Sequence, residues 1–267
     1  MRTTRLWPIL VILFGVGTGV GGLYLGSAWL DDRQQNQPWT EQELATVRSL
    51  WLASLAPLSP DPTNAVADEP DAARLGHRLF FDQRLSSNGR VACSNCHQPE
   101  LYFTDGLPVS VGVGKVTRNS MTLVGAAYSP WYFWDGRKDS LWSQATGPLE
   151  NALEHGSNRL QIARLIAGDS GYRRLYESLF GELPELTDAE RFPQRAGPLP
   201  DTVLNSAWEE MTEPDRIAIS TIFTNVGKAL AAYQRLLMPG PSRFDDYAAE
   251  LLTAAAEKVS VDSFSEP

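Results

Sequence analysis

Cys93-Ser94-Asn95-Cys96-His97 holds both cysteines of the chain, and its C-x-x-C-H spacing is the attachment pattern of c-type haem. Two thiols add to the porphyrin vinyl groups and the adjacent imidazole reaches the iron. Rival chemistries fit less well. A disulfide across two intervening residues would close a tiny loop and stabilise little. Zinc would need a fourth ligand, normally from a second Cys or His pair, and His77 and His155 do not stand at zinc-like spacing. A thioredoxin-like dithiol needs a βαβ context that the sequence lacks. Cys93, Cys96 and His97 are therefore expected to carry one haem c, with His97 as an axial ligand of the iron.

Around this motif the chain reads as short helices between long loops. Leu75, Leu79 and Phe80 share one helical stripe; Tyr172, Leu175, Tyr176, Leu179 and Phe180 form another, ended by Gly181. A longer helix is predicted from about Asp215 to Leu237, with Ile219, Ile222, Phe223, Val226, Leu230, Tyr233 and Leu237 on its buried face. Between them, Leu183 to Pro214 is rich in proline, holds the acidic helix fragment Trp208-Glu209-Glu210 and reads as an inserted, mostly irregular excursion. No alternating strand pattern competes, so the expected class is all-α: a cytochrome c-like haem domain with long loops, spanning residues 71–250.

Upstream, Thr40 with Glu43 makes a capping box ahead of Leu44, Val47, Leu50 and Trp51, which predicts an external helix. The Pro-rich run from Pro57 to Pro70 separates it from the haem domain, so residues 31–70 form helix and linker. Arg2 and Arg5 precede an uncharged stretch, Leu6 to Leu30, closed by Asp31 and Asp32. Residues 1–30 thus read as a membrane anchor or a signal peptide. The stretch is long enough to span a bilayer and longer than a usual signal core, which favours a retained anchor. The basic end stays inside, so the globular part is expected in a periplasm, tethered to the cytoplasmic membrane by residues 6–30. The 267 residues carry a net charge of -9, with Lys and Arg scattered among acids, which excludes nucleic acid as a partner.

What a haem c does depends on its sixth position: a Met or His there makes an electron carrier, whereas an open position admits peroxide. Met121, Met211 and Met238 are available, but such residues more commonly pack than ligate.

Leu75-Gly76-His77-Arg78-Leu79-Phe80-Phe81-Asp82, Leu85-Ser86-Ser87-Asn88-Gly89, Phe103-Thr104-Asp105-Gly106 and Trp134-Asp135-Gly136-Arg137 follow one another in an order that resembles the bacterial di-haem cytochrome c peroxidases and their relatives that mature methylamine dehydrogenase. The resemblance runs from about Asp71 to Tyr247 and corresponds to the family's first, peroxidatic haem domain. Arg243-Phe244-Asp245-Asp246-Tyr247 resembles the run leading into the family's second haem domain, so residues 251–267 are expected to begin that connection, and a truncated piece is favoured over a one-haem variant.

The resemblance implies roles. Gln144 and Glu154 match the distal pair over the peroxidatic iron, where a carboxylate moves a proton between peroxide oxygens and an amide holds the ligand. Trp134 matches the tryptophan that relays electrons between haems; simple packing within Trp131-Tyr132-Phe133-Trp134 is its alternative. Asn119 matches an asparagine that binds calcium between the domains, with other ligands from the missing half. His155, after Glu154, stands where relatives often have Met and is expected on the surface. In the loop Ser110-Val111-Gly112-Val113-Gly114-Lys115, Val113 stands where some relatives have a His that caps the resting iron, which implies an iron already open. Those glycines are no phosphate loop, because Val116 stands where Ser or Thr is required. The implied activity is reduction of hydrogen peroxide with electrons from a small periplasmic cytochrome c or copper protein, or direction of the haem's oxidising power at a protein or organic substrate. The alternative is a membrane-tethered electron carrier with no chemistry at the iron.

Overall fold

A computed structural model describes residues 39–263. The stretch Leu6 to Leu30 lies outside them; among the described residues no helix is long and apolar enough to cross a membrane. The described residues form two compact units, Leu52–Tyr247 and residues 39–51 with 248–263. They contain nine α-helices, short 3-10 turns and isolated bridges, and no strand, so the class is all-α.

In the smaller unit, helix α1 (Glu41–Leu50) starts as the capping box predicts. The Thr40 backbone N–H donates to Glu43 Oε2 at 2.7 Å and the Glu43 N–H to Thr40 Oγ1 at 3.3 Å. Leu44 and Val47 pack with Ala248 and Leu252 of the C-terminal helix α9 (Arg243–Ser263). Leu50, expected on the same stripe, is instead 66% exposed, because the helix ends there.

The larger unit is organised by α2 (Pro70–Phe80) against α8 (Glu213–Gln234). The stripe Leu75, Leu79 and Phe80 is fully buried, and so are Ile219, Ile222, Val226 and Leu230 of α8. The two backbones meet at Gly76, where a Cβ would lie 1.9 Å from the carbonyl oxygen of Ala229. Only a residue without a side chain permits that approach. Helix α4 (Leu141–Glu150) also packs on α8, and α5 (Arg159–Gly168) and α6 (Ser170–Phe180) close the other side. The sequence reading passed over α4 and α5. Gly181 ends α6, as read, with a positive φ of 92°.

From Leu183 to Asp201 the chain is irregular, as expected, but it is no outlying excursion. Trp208-Glu209-Glu210 is the end of a helix, α7 (Thr202–Glu210), capped by the Asp201 side chain. Leu186, Phe192, Ala196, Trp208 and Met211 are buried in the main core. The Arg164 guanidinium fastens the segment by donating to the carbonyls of Leu186 (2.9 Å) and Phe192. The segment is a wall of the domain, held by apolar side chains that its proline content obscured.

Candidate functional site

The attachment motif forms a one-turn helix, α3 (Cys93–Cys96). The Asn95 side chain accepts from the Ala92 N–H at 2.7 Å and the His97 N–H donates to the Cys93 carbonyl at 2.9 Å, so the turn is fixed at both ends. Both cysteines are free of disulfide. Burial pushes the Cys93 thiol up to about 12 and the Cys96 thiol to about 11.

His97 is aimed by a strained loop. Tyr102 and Phe103 both take left-handed backbone angles (φ 55° and 58°), uncommon for aromatic residues, and so present the Phe103 carbonyl to the His97 ring. His97 Nδ1 lies 2.9 Å from that oxygen. A carbonyl only accepts, so Nδ1 carries the proton and Nε2 keeps the lone pair that a metal needs. Burial holds the ring's proton affinity below the ordinary histidine value, which favours this neutral form. Phe80 and Phe103 flank it, with Phe80 6.5 Å from the His97 ring centroid.

These residues face a cavity of about 540 Å³ counted to its open mouth. Its apolar wall is Phe80, Val91, Leu123, Ala145, Pro148 and Leu230; Cys93, Cys96 and His97 line it too, as do Gln144, Glu154, His155 and Gln234. A flat apolar macrocycle anchored through two thioethers and one imidazole suits this lining, and haem c fits the residues present.

Gln144 is half-buried on α4, and Glu154 is half-buried in the turn that follows it. Pro148 weakens the helix, which stops at Glu150, and Asn151 then organises the turn: its carbonyl accepts from the N–H of Glu154 (3.0 Å) and Gly156 (2.8 Å). Its side-chain amide donates to Glu154 Oε1 at 2.7 Å. Burial raises the Glu154 carboxyl above the usual carboxylate range, against the charge of Arg137 and the Asn151 hydrogen bond. A carboxyl shifted in that direction is closer to the proton-sharing regime of an acid–base residue. Sequence reasoning missed Asn151, whose Asn-x-x-Glu spacing was the available signal.

His155 requires correction. It is only 4% exposed, and it lines the cavity with Nε2 3.9 Å from Cys93 Sγ. Its position follows from the turn: the His155 N–H donates to the Pro148 carbonyl and its carbonyl accepts from Ser87. Burial, with the neighbouring His97 ring, pushes its proton affinity down to about 4, against the pull of the Pro148 carbonyl, so the imidazole is neutral. Of the methionines, Met121 and Met238 are exposed and Met211 packs in the core; none lines the cavity.

Trp134 does not line the cavity and is 58% exposed, so burial within the aromatic run does not account for it. Within that run Tyr132 and Phe133 are half-buried, Phe133 beneath Arg137 at 3.6 Å and against Gly147. Asn119 is exposed, and among the described residues no group of three or more His, Cys, Asp or Glu gathers as a metal site.

A one-turn C-x-x-C-H helix opening on an apolar cavity in an all-helical frame defines a haem c domain. Residues 70–251 match the family model for di-haem cytochrome c peroxidase. The chain is 33% identical over 177 residues to cytochrome c551 peroxidase of Pseudomonas aeruginosa, covering 65% of this chain and 41% of that protein. It is 31% identical over 176 residues to the methylamine utilization protein MauG of Methylorubrum extorquens, covering 65% and 49%. A crystal structure of a MauG-like protein associated with microbial copper homeostasis matches with a TM-score of 0.50 and 29% identity over 75% of this chain and 50% of that one. The chain belongs to the di-haem cytochrome c peroxidase family, whose cofactor is haem c, and it spans about half the length of the curated relatives it matches.

Proposed function

We propose that this chain forms the peroxide-handling haem c domain of an oxidoreductase, held through Cys93, Cys96 and His97. The observation that carries the reading is that Gln144 and Glu154 line the same cavity as those three residues. When bound, haem supplies an iron that binds hydrogen peroxide and stores its two oxidising equivalents.

The chain's own residues do the rest. The Nδ1–H of His97 is tied to Phe103, which leaves the Nε2 lone pair to hold the iron of a bound haem. The Gln144 amide N–H donates to a peroxide oxygen and orients it. Asn151 occupies Glu154 Oε1, so Oε2 is the free atom, which would take a proton from one peroxide oxygen and return it to the other, so that water leaves. The apolar wall excludes bulk water, which would compete for that proton. Two electrons then come from a small periplasmic cytochrome c or copper protein, or from a protein or organic substrate that is thereby oxidised. Trp134, exposed rather than packed, suits a relay to that donor or to a second haem domain. The absence of a capping histidine at Val113 supports an iron open to peroxide without prior reduction. Periplasmic placement, with residues 6–30 as anchor, belongs to the same reading, as does calcium at Asn119 where a second domain supplies further ligands.

Glu154→Ala tests this reading. The haem-loaded ferric protein is expected to lose about 10²–10⁴-fold in the rate at which peroxide changes its optical spectrum, the usual contribution of an acid–base group. A wild-type rate would remove Glu154 from the mechanism. One observation favours the electron-carrier alternative: His155 is the one candidate sixth ligand that lines the cavity. A low-spin ferric signal that becomes high-spin in His155→Ala would establish that alternative; a high-spin signal in wild type excludes it.

A further inference from the structure

We propose that Gly112 is a positioning residue for Glu154: the loop around it is a backbone clamp that fixes where the carboxylate stands. The inference rests on the acid–base role given to Glu154 above.

The loop folds on itself as a tight hairpin. Val111 bridges Lys115, the Gly112 N–H donates to the Gly114 carbonyl at 2.9 Å, and the Val116 N–H donates to the Ser110 carbonyl at 3.1 Å. From this hairpin two N–H groups reach the turn after α4: Val113 donates to the Glu154 carbonyl at 2.8 Å and Gly114 to the Leu153 carbonyl at 2.9 Å. At its base Cys96 Sγ lies 3.8 Å from the Val111 carbonyl oxygen. The loop thus joins the haem-attachment turn to the backbone of Glu154, and Gly112 itself lines the cavity between them.

Gly112 is required by distance rather than by conformation, since its φ is not positive. A Cβ there would lie 2.5 Å from the Glu154 carbonyl oxygen, 2.7 Å from that of Leu153 and 2.8 Å from Glu154 Cα. All three are backbone atoms of the segment that carries the carboxylate, so no rotamer change relieves the clash and the segment must move. Gly114 provides the contrast. Its Cβ would meet the tip of the Leu153 side chain at 2.8 Å, and that side chain is 44% exposed and free to turn away. The two glycines look alike in sequence, yet only at the first would an added Cβ displace the backbone of Glu154. On the other side Asn151 holds Oε1, so the carboxylate is fixed through its main chain by one loop and through its side chain by another residue.

The test uses the full chain with haem attached, in Gly112→Ala, Gly114→Ala and Val113→Pro, each with Glu154 and with Glu154→Ala. Val113→Pro deletes the N–H that bonds the Glu154 carbonyl without adding a group at 112, and serves if Gly112→Ala fails to mature. The readouts are the peroxide-driven optical change, the resting ferric spectrum, and hydrogen exchange at the Val113 and Gly114 amides. Gly112→Ala and Val113→Pro are expected to slow the reaction on the order of 10²-fold, the cost of a misplacement near 1 Å, with an unchanged resting spectrum. Gly112→Ala should also lose exchange protection at Val113 and Gly114, while Gly114→Ala reacts as wild type. In the Glu154→Ala background the same changes should slow nothing further, because the pair then acts as one unit. A wild-type rate in Gly112→Ala, or the same slowing with and without Glu154, overturns the inference while leaving the role of Glu154 intact. A wild-type rate in Glu154→Ala alone overturns both.

Discussion

The buried imidazole of His155 makes a quantitative prediction about acid stability. In the unfolded chain the ring protonates as pH falls through about 6.5, the ordinary histidine value. In the folded chain burial delays protonation to about 4. Between those values unfolding takes up a proton, so stability is complete above the upper value and is lost progressively as pH falls to the lower one. The difference corresponds to roughly 3 kcal/mol, a large share of the usual net stability of a domain. Replacing His155 with Leu removes the titration and keeps an apolar side chain in the cavity wall. Guanidinium unfolding of the haem-loaded protein, followed by far-ultraviolet circular dichroism at about pH 7 and about pH 4, should show wild type losing roughly 3 kcal/mol more on acidification than His155→Leu. His97 and the carboxylates titrate in both proteins and cancel in the comparison. Equal losses would refute the argument and imply that the ring reaches solvent or finds a partner that stabilises its charge.

Asn151→Ala should slow the peroxide reaction about tenfold or somewhat more, the worth of one hydrogen bond to a carboxylate, with haem content unchanged; stopped-flow optical spectroscopy checks it. Gly76→Ala should lower unfolding free energy by about 1–3 kcal/mol or prevent folding altogether, because its Cβ would meet the Ala229 carbonyl across the α2–α8 crossing. Chemical denaturation measures it, and an unchanged midpoint would mean that the helices separate at little cost.

The helices that announced themselves in the sequence are those whose apolar stripe is regular and well punctuated: α2, α6 and α8, with the Thr40 and Glu43 capping box for α1. Helix α4 stayed hidden because Gly147 and Pro148 sit inside it, although Leu141, Ala145 and Leu149 keep a four-residue spacing and are buried. Helix α5 is short and mixed, and its clearest signal was Asn158, whose side chain accepts from the Gln161 N–H at its start. At the site, Cys93, Cys96 and His97 were legible from spacing alone because the covalent chemistry dictates it. Gln144 and Glu154 were reached through family resemblance, and the cavity brings them together. His155 and Gly112 were not legible: the burial of one and the close approach of the other depend on a turn set by Asn151 and on a loop from a distant part of the chain. No local pattern encodes such non-local contacts.

Gln144, Asn151, Glu154 and His155 all lie on α4 and the turn that ends it, whereas the cysteines, His97 and the packing of α2 on α8 lie elsewhere in the chain. Under the proposed reading the reactive side of the pocket is therefore carried by one short segment. On that reading, substitution at the pocket-facing positions of this segment retunes the chemistry while Leu141, Ala145 and Leu149 keep α4 packed on α8, so lineages sharing the scaffold are free to diverge in reaction there first.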